Sequence, residues 1–453
     1  MAQETHGAHH ASASNSKSQD QKSHAMKLWV LCLVPFIMVL GNSMLIPVLP
    51  KMMKVMHLTL FQSGLVITIF SIPAGVVIPM AGALSDRIGR RVIMAPSLIL
   101  YGLGGLGAGF SAWLLPHPFM WIMASRLLQG IGAGGTYQLA MAVAGDMFQS
   151  KKRASALGLL EAANGLGKVI SPITGSILAL VVWFLPFFAY GVLSFPIAAL
   201  IWFVLNEPKK PAQAGGFGQY WQGLKHTFTT KGPSILTTFL GGAVVLFILF
   251  GVLSYLADIL EKTFGYGEIV RGLLIAIPVM ASAITSYISG TVLQKRIASW
   301  ARRIVVMGML LIAAAMVVEP FFATTNVVLA LLVLVFQGIG TGSVLPSINT
   351  MVTSATTSKE RGVVTSLYGS VRFFGVAMGP PVFSMAMSHR YMVFWGAAAL
   401  AVASGLLAWF IINEKQMLPK KMRGGGGGRQ GPKKGHVHRL RHKPPKASRE
   451  KLS

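Results

Sequence analysis

Acidic side chains are scarce in this chain. Its 453 residues include 13 Asp and Glu against 40 Lys and Arg, and both signs of charge together make up only 12%. Soluble domains carry roughly twice that share, so a soluble globular fold is excluded. Cysteine is nearly absent as well. Cys32 stands alone, which rules out an internal disulfide or a thiolate metal cluster. No phosphate-cradling loop of the pattern G-x-x-x-x-G-K-[ST] occurs, so ATP is not expected as the energy source. The first 26 residues are polar, rich in Ser, His and Gln, and lack the basic start and cleavage site of a signal peptide. The first helix is therefore expected to act as an uncleaved insertion signal.

What is abundant is apolar. Hydrophobic residues make up 53% of the chain and mean hydropathy is +0.61. Fifty glycines and 24 methionines suit close helix packing in lipid. The formal charge of +27 would suggest nucleic acid in a soluble protein. Here the basic residues crowd short loops between apolar runs, where anionic lipid headgroups attract them, and no nucleic-acid partner is expected. Runs long enough to cross a ~30 Å hydrocarbon core predict twelve spans: 28–49, 63–84, 92–114, 119–145, 155–180, 184–205, 234–258, 269–291, 303–323, 326–350, 362–387 and 391–412.

Five segments follow: a disordered tail over 1–26, a six-helix bundle over 27–206, a linker over 207–233, a second six-helix bundle over 234–413, and a basic disordered tail over 414–453. The linker contains Pro208-Lys-Lys-Pro211 and a stretch from Phe217 fit for an amphipathic surface helix. Loops carrying Arg87, Arg90, Arg91, Lys151, Lys152, Arg153, Lys295, Arg296, Arg302, Arg303, Lys359 and Arg361 share one side. The opposite side holds Lys51, Lys54, Lys262, Arg271 and Arg390 against Asp258, Glu261, Glu268 and Glu319. The positive-inside rule then places both termini in the cytoplasm of a multi-pass protein of the cell membrane.

The two halves repeat. Gln129-Gly-Ile-Gly132 recurs as Gln337-Gly-Ile-Gly340, and the same offset carries Arg153 onto Arg361, Pro172 onto Pro380 and Gly82 onto Gly290. One gapless shift aligning three regions points to two bundles of common origin, the parallel repeat of rocking-type transporters.

Between the second and third runs lies Gly82-Ala-Leu-Ser-Asp86-Arg87-Ile-Gly89-Arg90-Arg91. It resembles the loop signature G-x-L-[AS]-D-R-x-G-R-[RK] of the major facilitator superfamily, matching at every position. Three further motifs agree. Arg126-Leu-Leu-Gln129-Gly130 is similar to the family's R-x-x-Q-G element, and Gly41-Asn42 through Pro47 and Pro50 to the first-helix motif of its drug-exporting branches. Gly158, Gly167, Ser171, Pro172, Gly175 and Ser176 follow the antiporter motif G-x8-G-x3-G-P-x2-G-G, with serine at two glycine positions. The resemblance covers about 28–412 and implies an all-α membrane fold of two six-helix bundles about a pseudo-twofold axis. It implies a twelve-span drug:proton antiporter that works as a monomer, with a proton gradient in place of any cofactor. By the same resemblance Asp86 meets the N-terminus of span eleven near Gly362, Arg90 pairs with Asp146, and this latch holds one access state. Gln294 stands where the repeat places Asp86, so a second latch should be weaker.

Ionisable groups inside spans mark function. One acid, Glu161, and three bases, Arg126, Lys168 and Arg372, are expected in the interior, with Asn164 on the face of Glu161 and Lys168. Glu161 either exchanges partners, protonated in one state and paired with Lys168 or Arg372 in the other, or forms a permanent buried pair. Arg126 either joins it or bonds backbone carbonyls. The surplus of cations favours anionic or neutral amphiphiles, such as carboxylate drugs or catecholate-type siderophores, over lipophilic cations. Asn42, Tyr137, Gln138, Tyr255, Asn349 and Tyr368 are the candidate cavity residues. Alternatives are an organic-anion or nutrient importer of the same fold and a non-transporting receptor. No cluster of catalytic spacing supports an enzyme. The histidines of the tails, His6, His9, His10, His436, His438 and His442, match no closed metal site.

Overall fold

A backbone surrounded by lipid must bond its own amides, which leaves the helix as the way for each apolar run to cross. The computed structural model describes residues 4–148, 150–205, 217–296, 300–355 and 361–417, and among these the secondary structure is helical, with no strand. The helices are α1 (Glu4–Ser43), α2 (Leu49–Met56), α3 (Leu60–Ile88), α4 (Arg90–Leu114), α5 (Phe119–Gly134), α6 (Tyr137–Met147), α7 (Ser150–Val181) and α8 (Leu185–Val204). The second half holds α9 (Phe217–Lys262), α10 (Glu268–Arg296), α11 (Ala301–Phe322), α12 (Val327–Ala355), α13 (Arg361–Ser384) and α14 (Ala386–Ile411), with the short α15 (Glu414–Met417) after it.

Ten stretches are long and apolar enough to span a membrane, from His24–Met56 to Ala386–Ile411. The other two expected spans are helical but differ from that pattern. Span four is broken rather than continuous: the run Gly132-Ala-Gly134-Gly135 ends α5, Thr136 turns the chain at φ −116° and ψ −83°, and α6 starts at Tyr137. Span eleven, α13, is intact, but Arg361 and Arg372 sit within it. Span one is also segmented, through a 3₁₀ turn at Ile46–Val48 beside Pro47. Two expectations for the tails change. Residues 4–26 were expected to lack order but open α1, because a span that is already helical propagates outward at low cost. The segment from Phe217 is helical and runs without interruption into span seven as one 46-residue helix. The tail beyond 417 lies outside the described residues.

The repeat offset of 208 seen in the sequence is also a packing rule. A Cβ on Gly130 would overlap the carbonyl of Phe70, and one on Gly338 would overlap that of Pro278. Gly342 meets the carbonyl of Ser282, and Gly134 lies against that of Ala74. Each half therefore crosses its second and fourth spans with backbones in contact, which only glycine permits. Lipid-facing ends match too. Arg91 stacks over Trp202 at 5.1 Å and donates to its carbonyl at 3.2 Å, and Arg302 does the same with Trp409 at 4.9 Å and 3.2 Å.

The halves touch along two seams. In the first, α3 runs against α13 from Gly64 beside Pro381, through Thr68 donating to the Ala377 carbonyl, to Gly82 beside Ser366. In the second, α7 runs against α10 and splays. A Cβ on Gly272 would overlap Ser176 and the Pro172 carbonyl, one on Gly165 would lie 3.7 Å from Ala283, and one on Gly158 or Gly290 would meet no neighbouring helix within 4 Å among the described residues. The molecule is thus closed at the end bearing Lys51 and parted along this seam at the end bearing Asp86.

Valine at Gly130 or at Gly338 should lower the apparent thermal midpoint in detergent by an amount equivalent to about 1–3 kcal/mol, the usual cost of overpacking. Alanine at Gly158 should leave it unchanged. Equal midpoints for all three variants would contradict the backbone contacts.

Candidate functional site

A positive charge inside an apolar bundle needs acceptors at every nitrogen or a wet cavity in front of it. Arg126 of α5 has the acceptors. It is fully buried. Its Nε donates to the Val66 carbonyl at 3.1 Å, Nη1 to the Gly41 carbonyl at 2.9 Å and to Gln129 Oε1 at 2.7 Å, and Nη2 to Asn42 Oδ1. The Phe70 ring closes the remaining side, 4.4 Å from the guanidinium. Arg126 thus braces α1, α3 and α5 and is not brought to Glu161. Its place among proton-coupling groups is corrected to the carbonyl-bonding alternative, because the open helix ends around Gly41 offer the acceptors it needs. Leu334 stands at the repeat-related position, so the brace belongs to one half.

The helix break aims Tyr137. As the first residue of α6 it donates its hydroxyl to Glu161 Oε1 of α7 at 2.7 Å. Neither Lys168 nor Arg372 lies within 4.0 Å of that carboxylate; the partner of Glu161 in this conformation is the phenol. The expected ion pair is therefore absent here. Beside the pair lies a cavity of about 60 Å³ where the halves meet, lined by Asn42, Phe70, Tyr137, Gln138, Asn164 and Lys168 on one side and by Phe250, Gly369, Arg372 and Phe373 on the other. This space holds water but no drug-sized molecule, so the cavity is contracted. Lys168 makes no hydrogen bond or ion pair among the described residues and also borders an apolar recess of Leu249, Leu253, Ile275 and Val279. Arg372 lies 5.4 Å from the Tyr368 ring with its Nε unbonded. Two desolvated cations thus face the cavity, and no carboxylate lines it.

The other candidates sort by position. Asn42, Tyr137, Gln138 and Asn164 line the cavity. Tyr368 lies one turn from Arg372, buried against Phe239. Tyr255 is corrected to a packing residue, edge-on to Phe394 at 5.1 Å. Asn349 lies on α12 away from the cavity, its carbonyl accepting from Thr353. In the antiporter motif, Gly175 passes under the Met44 carbonyl and a Cβ on Gly167 would lie 3.3 Å from that of Phe36, so α7 packs closely on the first span. Ser171 is fully buried and donates to the Gly167 carbonyl. The carbonyl of Pro172 packs on Gly272, and Gly158 faces open space.

In the loop motif, Arg90 pairs with Asp146 at 2.7 Å. Asp86 is 58% exposed and its described partner is Arg90 of its own turn, at 3.4 Å. Gly82 packs on Ser366, while Gly89, at φ 103°, makes the turn that a side chain would strain. Arg87 ends α3. Asp86 is not seated on α13 near Gly362, where an added Cβ would meet no neighbouring element within 4 Å among the described residues.

The expected count of one interior acid is also too low. Glu319 of α11 is 1% exposed and Asp258 of α9 is 4% exposed, both with an oxygen lacking a partner. By sequence both are counted with the loop charges of the Lys51 side, although Asp258 closes the expected span 234–258, which α9 carries on to Lys262, and Glu319 lies inside the expected span 303–323, which α11 fills to Phe322. Their signal is the helical spacing that continues through Tyr255, Asp258 and Glu261.

Paired helical bundles around a charged, contractible cavity define a membrane transporter. The chain belongs to the major facilitator superfamily, whose profile matches residues 31–380 and 300–447. It is 37% identical over 394 residues to the bacillibactin exporter of Bacillus subtilis, covering 86% of this chain and 96% of that one. It is 27% identical over 384 residues to the multidrug efflux protein YfmO of the same species, covering 81% and 88%. In fold it is similar to a D-xylose-proton symporter, with a TM-score of 0.67 at 16% identity over 88% of this chain and 99% of the other. A bacterial homologue of the lysosomal transporter Spinster, in an inward-facing and occupied conformation, gives a TM-score of 0.66 at 17% identity over 87% and 98%.

Arg126→Gln should lower the thermal midpoint by an amount equivalent to on the order of 2–4 kcal/mol, since each stranded buried acceptor costs about 1–3 kcal/mol. The pH profile of the protein that does fold should stay unchanged. A shifted pH profile at unaltered stability would return Arg126 to the coupling set.

Proposed function

We propose that this protein exports anionic or neutral amphiphiles across the bacterial cell membrane in exchange for protons, by rocking its two bundles about the central cavity. The carrying observation is the cavity wall itself: Lys168 and Arg372 face it from opposite halves and no carboxylate does. A desolvated cation is strongly favoured by an anion entering the same space. Phe70, Tyr137, Phe250 and Phe373 add faces for an aromatic acid or catecholate. The relative that exports bacillibactin supports a siderophore-like substrate, and the multidrug relatives support breadth.

Glu161 is the coupling acid. Its carboxyl accepts from Tyr137 and has neither Lys168 nor Arg372 within ion-pair distance in this conformation. Loss of the proton would draw Lys168 or Arg372 toward it and weaken their hold on the substrate, so substrate and proton compete for the same cations. The excess of basic loops supports cytoplasmic termini and puts the Asp86 end inside. The conformation described above is then the one that receives cargo from the cytoplasm, and the Asp86 latch forms in the opposite state. The partners in this account are protons, a small-molecule substrate and the anionic headgroups near the basic tail. It needs no cofactor and works as a monomer.

Purified protein in vesicles with an imposed pH gradient, offered anionic, neutral and cationic fluorescent solutes, checks this. Gradient-driven movement of the anionic and neutral probes is expected. Glu161→Gln should abolish the gradient dependence while leaving binding within about tenfold, and Tyr137→Phe should shift its pH midpoint. Movement of cations alone, or full gradient dependence in Glu161→Gln, contradicts the proposal. Downhill uptake with no proton movement would favour the importer, and binding without movement the receptor.

A further inference from the structure

The closed end of the molecule is held by charges in contact with one another across the halves. Lys51 of α2 pairs with Glu268 of α10 at 3.1 Å and also donates to the Ala179 carbonyl at 2.8 Å. Lys54 of α2 pairs with Glu261 of α9, and Arg271 of α10 binds the other oxygen of the same carboxylate. Glu261 thus bridges the first half to the second. Three residues earlier, and so on nearly the same face one turn deeper, sits Asp258. It is 4% exposed, and its Oδ1 has no partner. The charged groups around it are Glu261 and Lys262 of its own helix and Arg271 of α10, with Lys54 of α2 beyond Glu261. None of these cations lies within 4.0 Å of it. Arg271, 2% exposed, directs Nη1 to Glu261 and leaves Nε and Nη2 unbonded. Lys262 is exposed, and Lys54 is 69% exposed, so water screens both.

A carboxylate sealed from water without a direct counter-charge is stable as the acid. Separating α2 from α9 would break the Lys54–Glu261 contact and admit water to Asp258, where the anion becomes the stable form. The two access states therefore bind a proton at this position with different strength. That difference makes the balance between the two states depend on the pH of the water at the Lys51 end.

We propose that Asp258 is a second proton-binding carboxylate, separate from Glu161, which takes a proton from water at the Lys51 end as that end closes and returns it as the end opens. The step is one proton onto one carboxylate oxygen, with no other bond changed. Glu261 and Glu268 are each held by cations in the closed state, and these ion pairs make the closure specific. By linkage, acid favours the closed end: the state that holds the proton more tightly gains population as pH falls, by up to about tenfold per pH unit for one proton. This rests on the exchange reading above, since acid outside would then drive the empty carrier to close outward and turn back toward the cytoplasm.

The test uses the full chain in lipid nanodiscs, with no substrate and no gradient, after Cys32→Ser. Nitroxides placed through Val55→Cys on α2 and Thr263→Cys after α9 report the separation across the Lys51 end between pH 5 and pH 8. The closed-to-open ratio should rise as pH falls. Asp258→Asn should remove most of that dependence, Asp258→Glu should keep it, and Glu161→Gln should leave it in place. A parental protein whose distances ignore pH, or an Asp258→Asn variant with the parental dependence, overturns the assignment. The readout needs no transport, so failed pH-driven transport with an intact Asp258-dependent distance change counts against the exchange reading alone.

Discussion

Charge that cannot reach water is the constraint to which the rest of this structure answers. The bundle interior meets it in three ways. Arg126 saturates its nitrogens on carbonyls and amide oxygens of neighbouring helices. Glu161 and Glu261 each take a partner, a phenol in one case and two cations in the other. Lys168 and Arg372 take neither, and the space in front of them is the cavity. In the proposed exporter the binding site is where the desolvation of these groups has been left unresolved, and a substrate of opposite sign would complete it.

The same constraint explains the backbone. A carbonyl freed by a helix break must be bonded by something, and the breaks in α1 and span four lie beside the groups that do so. The Gly41 carbonyl goes to Arg126, and Thr136 donates its hydroxyl to the Ala133 carbonyl at 2.6 Å. The break then serves the site, because it starts α6 at Tyr137 and lays that hydroxyl on Glu161. Around this core, glycines at repeat-related positions let helices cross with backbones touching. Each half is thereby stiff enough to move as a block, while the parted α7–α10 seam leaves room for the motion.

Much of this was legible in the residue string. The repeat at an offset of 208 pairs Gly130 with Gly338, and in the structure the two meet the carbonyls of Phe70 and Pro278 alike. The family signature foretold the Arg90–Asp146 contact, and the paucity of interior acids foretold a cavity lined by bases. What escaped was set by three-dimensional closure. Nothing in the spacing of Arg126 distinguishes a base that moves protons from one that bonds carbonyls; that depends on where Gly41 and Val66 end up. Asp258 and Glu319 were grouped with loop charges because each stands near the end of its apolar run, where spacing alone does not tell a buried helix end from a wet loop. The break at Gly135-Thr136 had a local signal in its glycines, but glycine is so common here that the signal did not stand out. Tyr255 and Asn349 were chosen by chemistry alone, and the packing of α9 and α12 turned them away.

The central claim is that two unpaired cations set the sign of the cargo, and affinity for one scaffold in three charge forms measures this most directly. An aromatic amphiphile prepared as carboxylate, amide and amine, titrated against the detergent-purified protein, should bind in that order of decreasing strength. The order should flatten when Lys168→Met and Arg372→Met are combined. An amine that binds tightest to the unaltered protein, or an order untouched by the double substitution, would contradict the account.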